Sequence, residues 1–116
     1  MRVGTVREIK NHEYRVGLTP ESARELVAHG HEVWVESGAG LGIGADDGAY
    51  RQAGAVIKDS AAAIFAECEM VVKVKEPQAV ERAQLREGQV LYTYLHLAPD
   101  PEQTADLVQS GVTAIA

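Results

Sequence analysis

A chain of 116 residues with a formal net charge of −6 has room for one domain, which at this length buries about two thirds of the surface its unfolded form exposes. The acidic balance argues against nucleic acid or an anionic membrane as a partner, because both need a basic stripe to displace counterions. The lone Cys68 can form neither an intrachain disulfide nor a metal site by itself, and with no secretory h-region at MRVGTVREIK and no long apolar span, a soluble cytoplasmic protein is expected.

Arg2–Arg7 alternates as a short first strand and is followed by the polar loop Glu8–Arg15. LTPESARELVAHG then reads as a helix, with Thr19 as N-cap, Pro20 at the first helical position, Glu21 in the first turn and Gly30 as the stop. His31–Glu36 is a second strand and leads into a glycine cluster, Gly38, Gly40, Gly42 and Gly44. A short helix over Asp46–Ala53 ends at Gly54.

Ala55–Ile57 is a brief third strand, Ser60–Ala66 an alanine-rich helix, and Met70–Val74 the fourth strand. Gln78–Arg86 is predicted helical up to Gly88, and Val90–Leu95 is the fifth strand. Pro101–Ser110 is a helix capped by Asp100 and closed by Gly111, and Val112–Ala116 begins a sixth strand. The fourth and fifth runs are continuous in apolar, β-branched and aromatic residues, the pattern of parallel strands covered on both faces. Strand-helix alternation with a glycine after most helices predicts an α/β domain with a parallel, flavodoxin-like or Rossmann-like sheet. The chain stops inside the apolar run VTAIA, which fits either a docked terminal strand or truncation of a longer protein.

Ligands of open α/β sheets bind beyond the carboxyl ends of the strands, and Lys75 and His96 close the fourth and fifth runs there. Gly40–Ala45 fits G-x-G-x-x-A, yet Asp46 and Asp47 would repel a pyrophosphate at the following helix N-terminus, and that helix is short for a crossover. A plain glycine loop is the better reading.

The same inferred edge collects Lys10, Arg15, Lys73, Lys75 and His96, which suits a small carboxylate ligand such as a 2-oxo acid or an amino acid. Arginine offers a planar fork for a carboxylate, lysine a compact charge for a carbonyl oxygen, and histidine a proton near neutral pH. Each also has a structural reading: Arg15 as a surface loop residue, Lys73 and Lys75 as an exposed strand face, His96 as a hydrogen-bonded core residue. Tyr92 and Tyr94 share one strand face, where tyrosines more often serve packing than chemistry, and Tyr94 points the same way as His96. His12, His29 and His31 lack ligand spacing and are read as solvated, so no metal site is expected.

EIKNHEYRVGLTP at Glu8–Pro20, VESGAGLGIGADDGAY at Val35–Tyr50, MVVKVKEP at Met70–Pro77 and LYTYLHLAPD at Leu91–Asp100 resemble, in order, the N-terminal segment of alanine dehydrogenase. The resemblance covers essentially the whole chain. It implies a segment, residues 1–116, of a substrate domain completed by a C-terminal return, with an NAD-binding domain inserted between them and absent here. It further implies that Arg15 and Lys75 hold the carboxylate and carbonyl of pyruvate or alanine and that His96 is the acid/base residue; Tyr94, on the same side as His96, is added as a candidate substrate-binding residue from its position alone. NAD would then be the cofactor, alanine, pyruvate and ammonia the substrates, and a homo-oligomer the full-length assembly.

The alpha subunit of NAD(P) transhydrogenase resembles the RVxLTP-like and ESGAG-like blocks but lacks the lysine and histidine at the two strand ends. A stand-alone carboxylate-binding regulatory module is the other alternative. A phospho-receiver is disfavoured, because it needs acidic strand ends for Mg²⁺.

Overall fold

The computed structural model describes all residues, Met1–Ala116. Six parallel strands alternate with five helices: β1 (Arg2–Thr5), α1 (Pro20–Ala28), β2 (Glu32–Glu36), α2 (Asp47–Gln52), β3 (Val56–Lys58), α3 (Ala61–Glu67), β4 (Met70–Val72), α4 (Ala79–Arg82), β5 (Val90–Tyr92), α5 (Pro101–Ser110) and β6 (Thr113–Ile115). A 3₁₀ turn, Leu41–Ile43, lies between β2 and α2. The strand order is β3-β2-β1-β4-β5-β6, which is Rossmann-like rather than flavodoxin-like and puts the reversal of winding between β1 and β4.

Local chemistry sets most boundaries as expected. The Thr19 side chain accepts from the Ser22 N–H at 3.1 Å, Pro20 opens α1, and Gly30 follows it with φ of 88°. Asp46 caps α2 through the Ala49 N–H at 2.9 Å, Ser60 caps α3, and Asp100 caps α5. Tyr50, fully buried, donates its hydroxyl to the Leu18 carbonyl at 2.7 Å, tying α2 to the chain segment that enters α1.

The core lies on both sides of the sheet. Val33 and Val35 pack with Val3, Ala23, Tyr50 and Ala53 under α1 and α2, whereas Trp34 between them joins Ile64, Phe65, Val71, Leu91 and Leu107 under α3 and α5. Successive side chains of a strand point to opposite faces, so β2 divides its residues between two layers.

Three expectations need correction. The fifth run is not covered on both faces: Leu91 is buried, but Tyr92 is 50% exposed and all of β6 is open to solvent. Helices α1 and α2 pack over β2 and β3, leaving β5 and β6 bare on that side. The predicted helix Gln78–Arg86 shrinks to the four residues of α4: beyond it the Gln84 and Leu85 N–H groups donate three residues back, to the Glu81 and Arg82 carbonyls, while Arg82 turns inward to donate to the Pro77 carbonyl at 3.0 Å and to Asp106 at 2.8 Å. Strands β4 and β5 end at Val72 and Tyr92, so Lys75 and His96 lie beyond the regular ladder, not at its last rungs. Beyond Val72 the Val74 and Lys75 N–H groups are held by the Glu8 carboxylate.

Candidate functional site

The site is built at the carboxyl ends of β1 and β4, where the winding reverses. Past β1 the chain runs through Glu8 into a loop that carries Glu13 and Arg15. Two close approaches fix that loop. A Cβ on Gly17 would lie 2.3 Å from the Val72 carbonyl oxygen, and one on Gly42 would lie 2.1 Å from the Tyr14 carbonyl oxygen. Only glycine allows backbones this near. The glycine cluster therefore packs against the Arg15 loop. Asp47, on the other side of the cluster, accepts from the Ser37 hydroxyl at 2.6 Å and the Gly38 N–H at 2.9 Å, and these bonds hold its carboxyl below the usual range.

Arg15 sits on the surface, its side chain 61% exposed, and forms a two-pronged pair with Glu13, Nε–Oε2 at 2.9 Å and Nη2–Oε1 at 2.8 Å. Hydrogen bonding from this guanidinium holds the Glu13 carboxyl down to about 2, and the charge of Lys75 pushes in the same direction. The Arg15 guanidinium is raised in turn, chiefly by Glu13, with smaller contributions from Tyr94 and Glu8. The charge of Lys75 thus reaches Glu13, and that of Tyr94 reaches Arg15. A cavity of about 320 Å³ opens beside Arg15, lined also by Arg7, Glu8, Glu13, Tyr14 and the Gly38–Gly42 loop. Lys75 and His96 are not part of its lining.

The inferred excess of positive charge at this edge is largely neutralised. Lys10 pairs with Glu76, Arg15 with Glu13, and Lys73 with Glu8 at 2.9 Å and Glu81 at 3.2 Å. Lys73 does not lie on an exposed strand face: its side chain is 1% exposed, as is that of Glu8. Burial raises the Glu81 carboxyl, with Lys73 opposing. Lys75 is half-buried and is the one of these four cations without a carboxylate partner.

His96 is exposed rather than a core histidine, and its backbone is left-handed, with φ of 51°. Histidine tolerates that region better than most residues, and non-glycine residues held there cluster at functional sites. Tyr94 is 65% exposed. Tyr92, Tyr94 and His96 are exposed while Leu91, Thr93 and Leu95 are buried, so the alternation outlasts the regular strand. Among the remaining histidines, His12 and His29 are exposed, whereas His31 is half-buried with an unpartnered Nδ1, contrary to its reading as solvated.

Sequence reasoning missed Glu8, Glu13, Glu81 and Thr93. One signal was available: a lysine inside an apolar run such as Val71–Val74 demands a buried counter-charge, although which carboxylate supplies it depends on the strand order.

A family model described as alanine dehydrogenase/PNT, N-terminal domain, matches residues 4–116. The alanine dehydrogenase of Halomonas elongata is 50% identical over 116 residues, which are 100% of this chain and 31% of that protein. A solved L-alanine dehydrogenase structure superposes with a TM-score of 0.97 at 50% identity, covering 100% of this chain and 32% of its own. The crystal structure of a transhydrogenase from Sinorhizobium meliloti follows with a TM-score of 0.92 at 31% identity, covering 100% of this chain and 33% of its own. The chain thus spans about a third of the length of the proteins it matches.

Proposed function

The chain belongs to the alanine dehydrogenase/PNT N-terminal domain family, and from that premise we propose that it is the leading part of the substrate domain of an NAD-dependent L-alanine dehydrogenase. That enzyme interconverts L-alanine with pyruvate and ammonia. The observation that carries the reading is Lys75: a half-buried lysine with no salt-bridge partner, close enough to the Glu13–Arg15 pair for its charge to act on Glu13, at the switch point of the sheet.

Arg15 receives the substrate carboxylate. Glu13 occupies two of its N–H groups, and arginine carries five, so donors remain while the pair fixes the plane of the guanidinium. Lys75 places its charge against the carbonyl oxygen of pyruvate and stabilises the negative charge that develops there as ammonia adds to the carbonyl carbon. His96 takes a proton from water as it adds to the imino carbon in the deaminating direction and returns it in the reverse, a task suited to an imidazole near neutral pH. Tyr94 lines the same side.

The residues of this chain do not fit a dinucleotide. Helix α2 has six residues, Asp46 and Asp47 fill its N-terminus, and Gly42 is packed against Tyr14. NAD is therefore assigned to a domain outside residues 1–116, and no step is derived through it. The full-length protein is expected to be a cytoplasmic homo-oligomer; no helix of this chain is long and apolar enough to cross a membrane.

The test is alanine-dependent reduction of NAD by the full-length protein. Lys75→Ala and His96→Asn, the latter chosen because asparagine also accepts a left-handed backbone, should each lower kcat by on the order of a hundredfold or more. Unchanged turnover in both would reject the assignment. A transhydrogenase alpha subunit, the reading favoured by the 31% identical structure, would show no alanine-dependent reduction at all.

A further inference from the structure

Lys75 stands three residues beyond the end of β4, where no strand ladder fixes it, yet both polar groups of its backbone are held. Its N–H donates to Glu8 Oε1 at 3.2 Å, and its carbonyl accepts from the Thr93 hydroxyl at 2.9 Å. The preceding residue is held likewise: the Val74 N–H donates to Glu8 Oε2 at 2.9 Å, and its carbonyl accepts from the Tyr94 N–H at 3.3 Å. Glu8 is itself fixed by Lys73 Nζ at 2.9 Å, which Glu81 holds from another side at 3.2 Å.

A buried group of two carboxylates and one ammonium is a poor means of stabilising a fold, since apolar residues of similar volume usually do as well or better. Its geometric effect is specific. Each oxygen of Glu8 grips a different peptide N–H of the Val74–Lys75 segment. Thr93, 4% exposed between the exposed Tyr92 and Tyr94, supplies the opposing grip from the neighbouring chain segment.

We propose that Glu8 and Thr93 are positioning residues for Lys75, forming a backbone clamp that aims its ammonium at the substrate carbonyl. The proposal rests on the role assigned to Lys75 above. Neither side chain needs to touch substrate. Their effect is exerted through the peptide units on either side of the Lys75 Cα.

The test uses the full-length enzyme and kcat/KM for pyruvate in the presence of ammonia and NADH. Thr93→Val keeps the shape and removes the donor, and Glu8→Gln removes the charge and one acceptor; each should lower kcat/KM by about tenfold to a hundredfold, the range expected for misplacing a reacting group by ångström amounts. Thr93→Ser, which restores the hydroxyl without the methyl group, should recover most of the loss. In a Lys75→Ala background, Thr93→Val or Glu8→Gln should add less than about twofold, because coupled residues are non-additive.

Full additivity in that background, or a Thr93→Ser variant as impaired as Thr93→Val, would overturn the clamp while leaving the role of Lys75 intact. A Lys75→Ala enzyme with unchanged kcat/KM would overturn the role and the clamp together. Should Glu8→Gln fail to fold, the near-isosteric Thr93 pair still decides the matter.

Discussion

Gly42→Ala tests how the Arg15 loop is held. The added Cβ would sit 2.1 Å from the Tyr14 carbonyl oxygen, 2.9 Å from its carbon and 3.0 Å from its Cα. All three are backbone atoms, so no side chain can rotate away. Ordinary contact begins at 3.4 Å, so the two loops must separate by about 1.3 Å. Both run over the surface and can yield, which limits the stability cost to about 1–3 kcal/mol, the usual range for overpacking. The displacement, however, falls on the residue preceding Arg15. If Arg15 holds the substrate as proposed, a shift of this size costs up to about a hundredfold.

The assay is steady-state kinetics of the full-length enzyme with pyruvate, read as KM and kcat separately, beside a thermal melt. KM for pyruvate should rise by about tenfold or more while the melting temperature falls modestly. Gly44→Ala is the control: its φ is 78° and nothing lies within 4 Å of the new Cβ. It should therefore cost about 1–2 kcal/mol of backbone strain without raising KM. Equal KM values for the two variants would refute the argument that Gly42 sets the position of Arg15.

Other outcomes follow from the buried charges and from the pKa shifts. Lys73→Met leaves Glu8 and Glu81 in the interior without their cation and should cost about 3–5 kcal/mol in urea unfolding; a loss below about 1 kcal/mol would mean that the pair behaves as a surface bridge. Cys68, fully buried with its thiol pushed up to about 11 by burial, should resist iodoacetamide at pH 8 in the native state and react on unfolding, and native labelling at the unfolded rate would contradict that placement. Because the folded-state pKa of Glu13 is depressed from 4.5 to about 2, its pairing with Arg15 contributes stability that is fully present above pH 4.5 and lost as the pH falls through about 2. Carboxyl NMR should accordingly show Glu13 ionised at pH 4, and a titration midpoint at or above pH 4 would show that the pair does not hold in solution.

Elements specified by neighbouring residues were readable in advance. Helix α1 has its cap, its first-position proline and its terminal glycine within the span Thr19–Gly30, and the alternation of apolar runs with such helices implies a parallel sheet. Features that depend on distant pairs were not. Sixty-five positions separate Lys73 from Glu8, so nothing local distinguishes a buried lysine from one on an exposed strand face. The apolar run Met70–Val74 continues past the ladder because Glu8, rather than a strand, receives the Val74 N–H. Likewise Val90–Leu95 suggests a doubly covered strand, but which part of a sheet face a helix covers depends on crossover packing, and Tyr92 and Tyr94 fall outside the reach of α1 and α2. At the site, Arg15, Lys75 and His96 drew attention as residue types at strand ends, whereas their supports, Glu13, Glu8 and Thr93, were anonymous polar residues until the strand order brought them together.

The central claim is that Arg15 and Lys75 hold a 2-oxo acid between them. The most direct measurement is a crystal structure of the full-length protein with pyruvate bound. The account predicts the carboxylate on the Arg15 guanidinium and the carbonyl oxygen within hydrogen-bond reach of Lys75 Nζ, about 2.7–3.2 Å. Pyruvate bound elsewhere, with Lys75 left facing solvent, would contradict it.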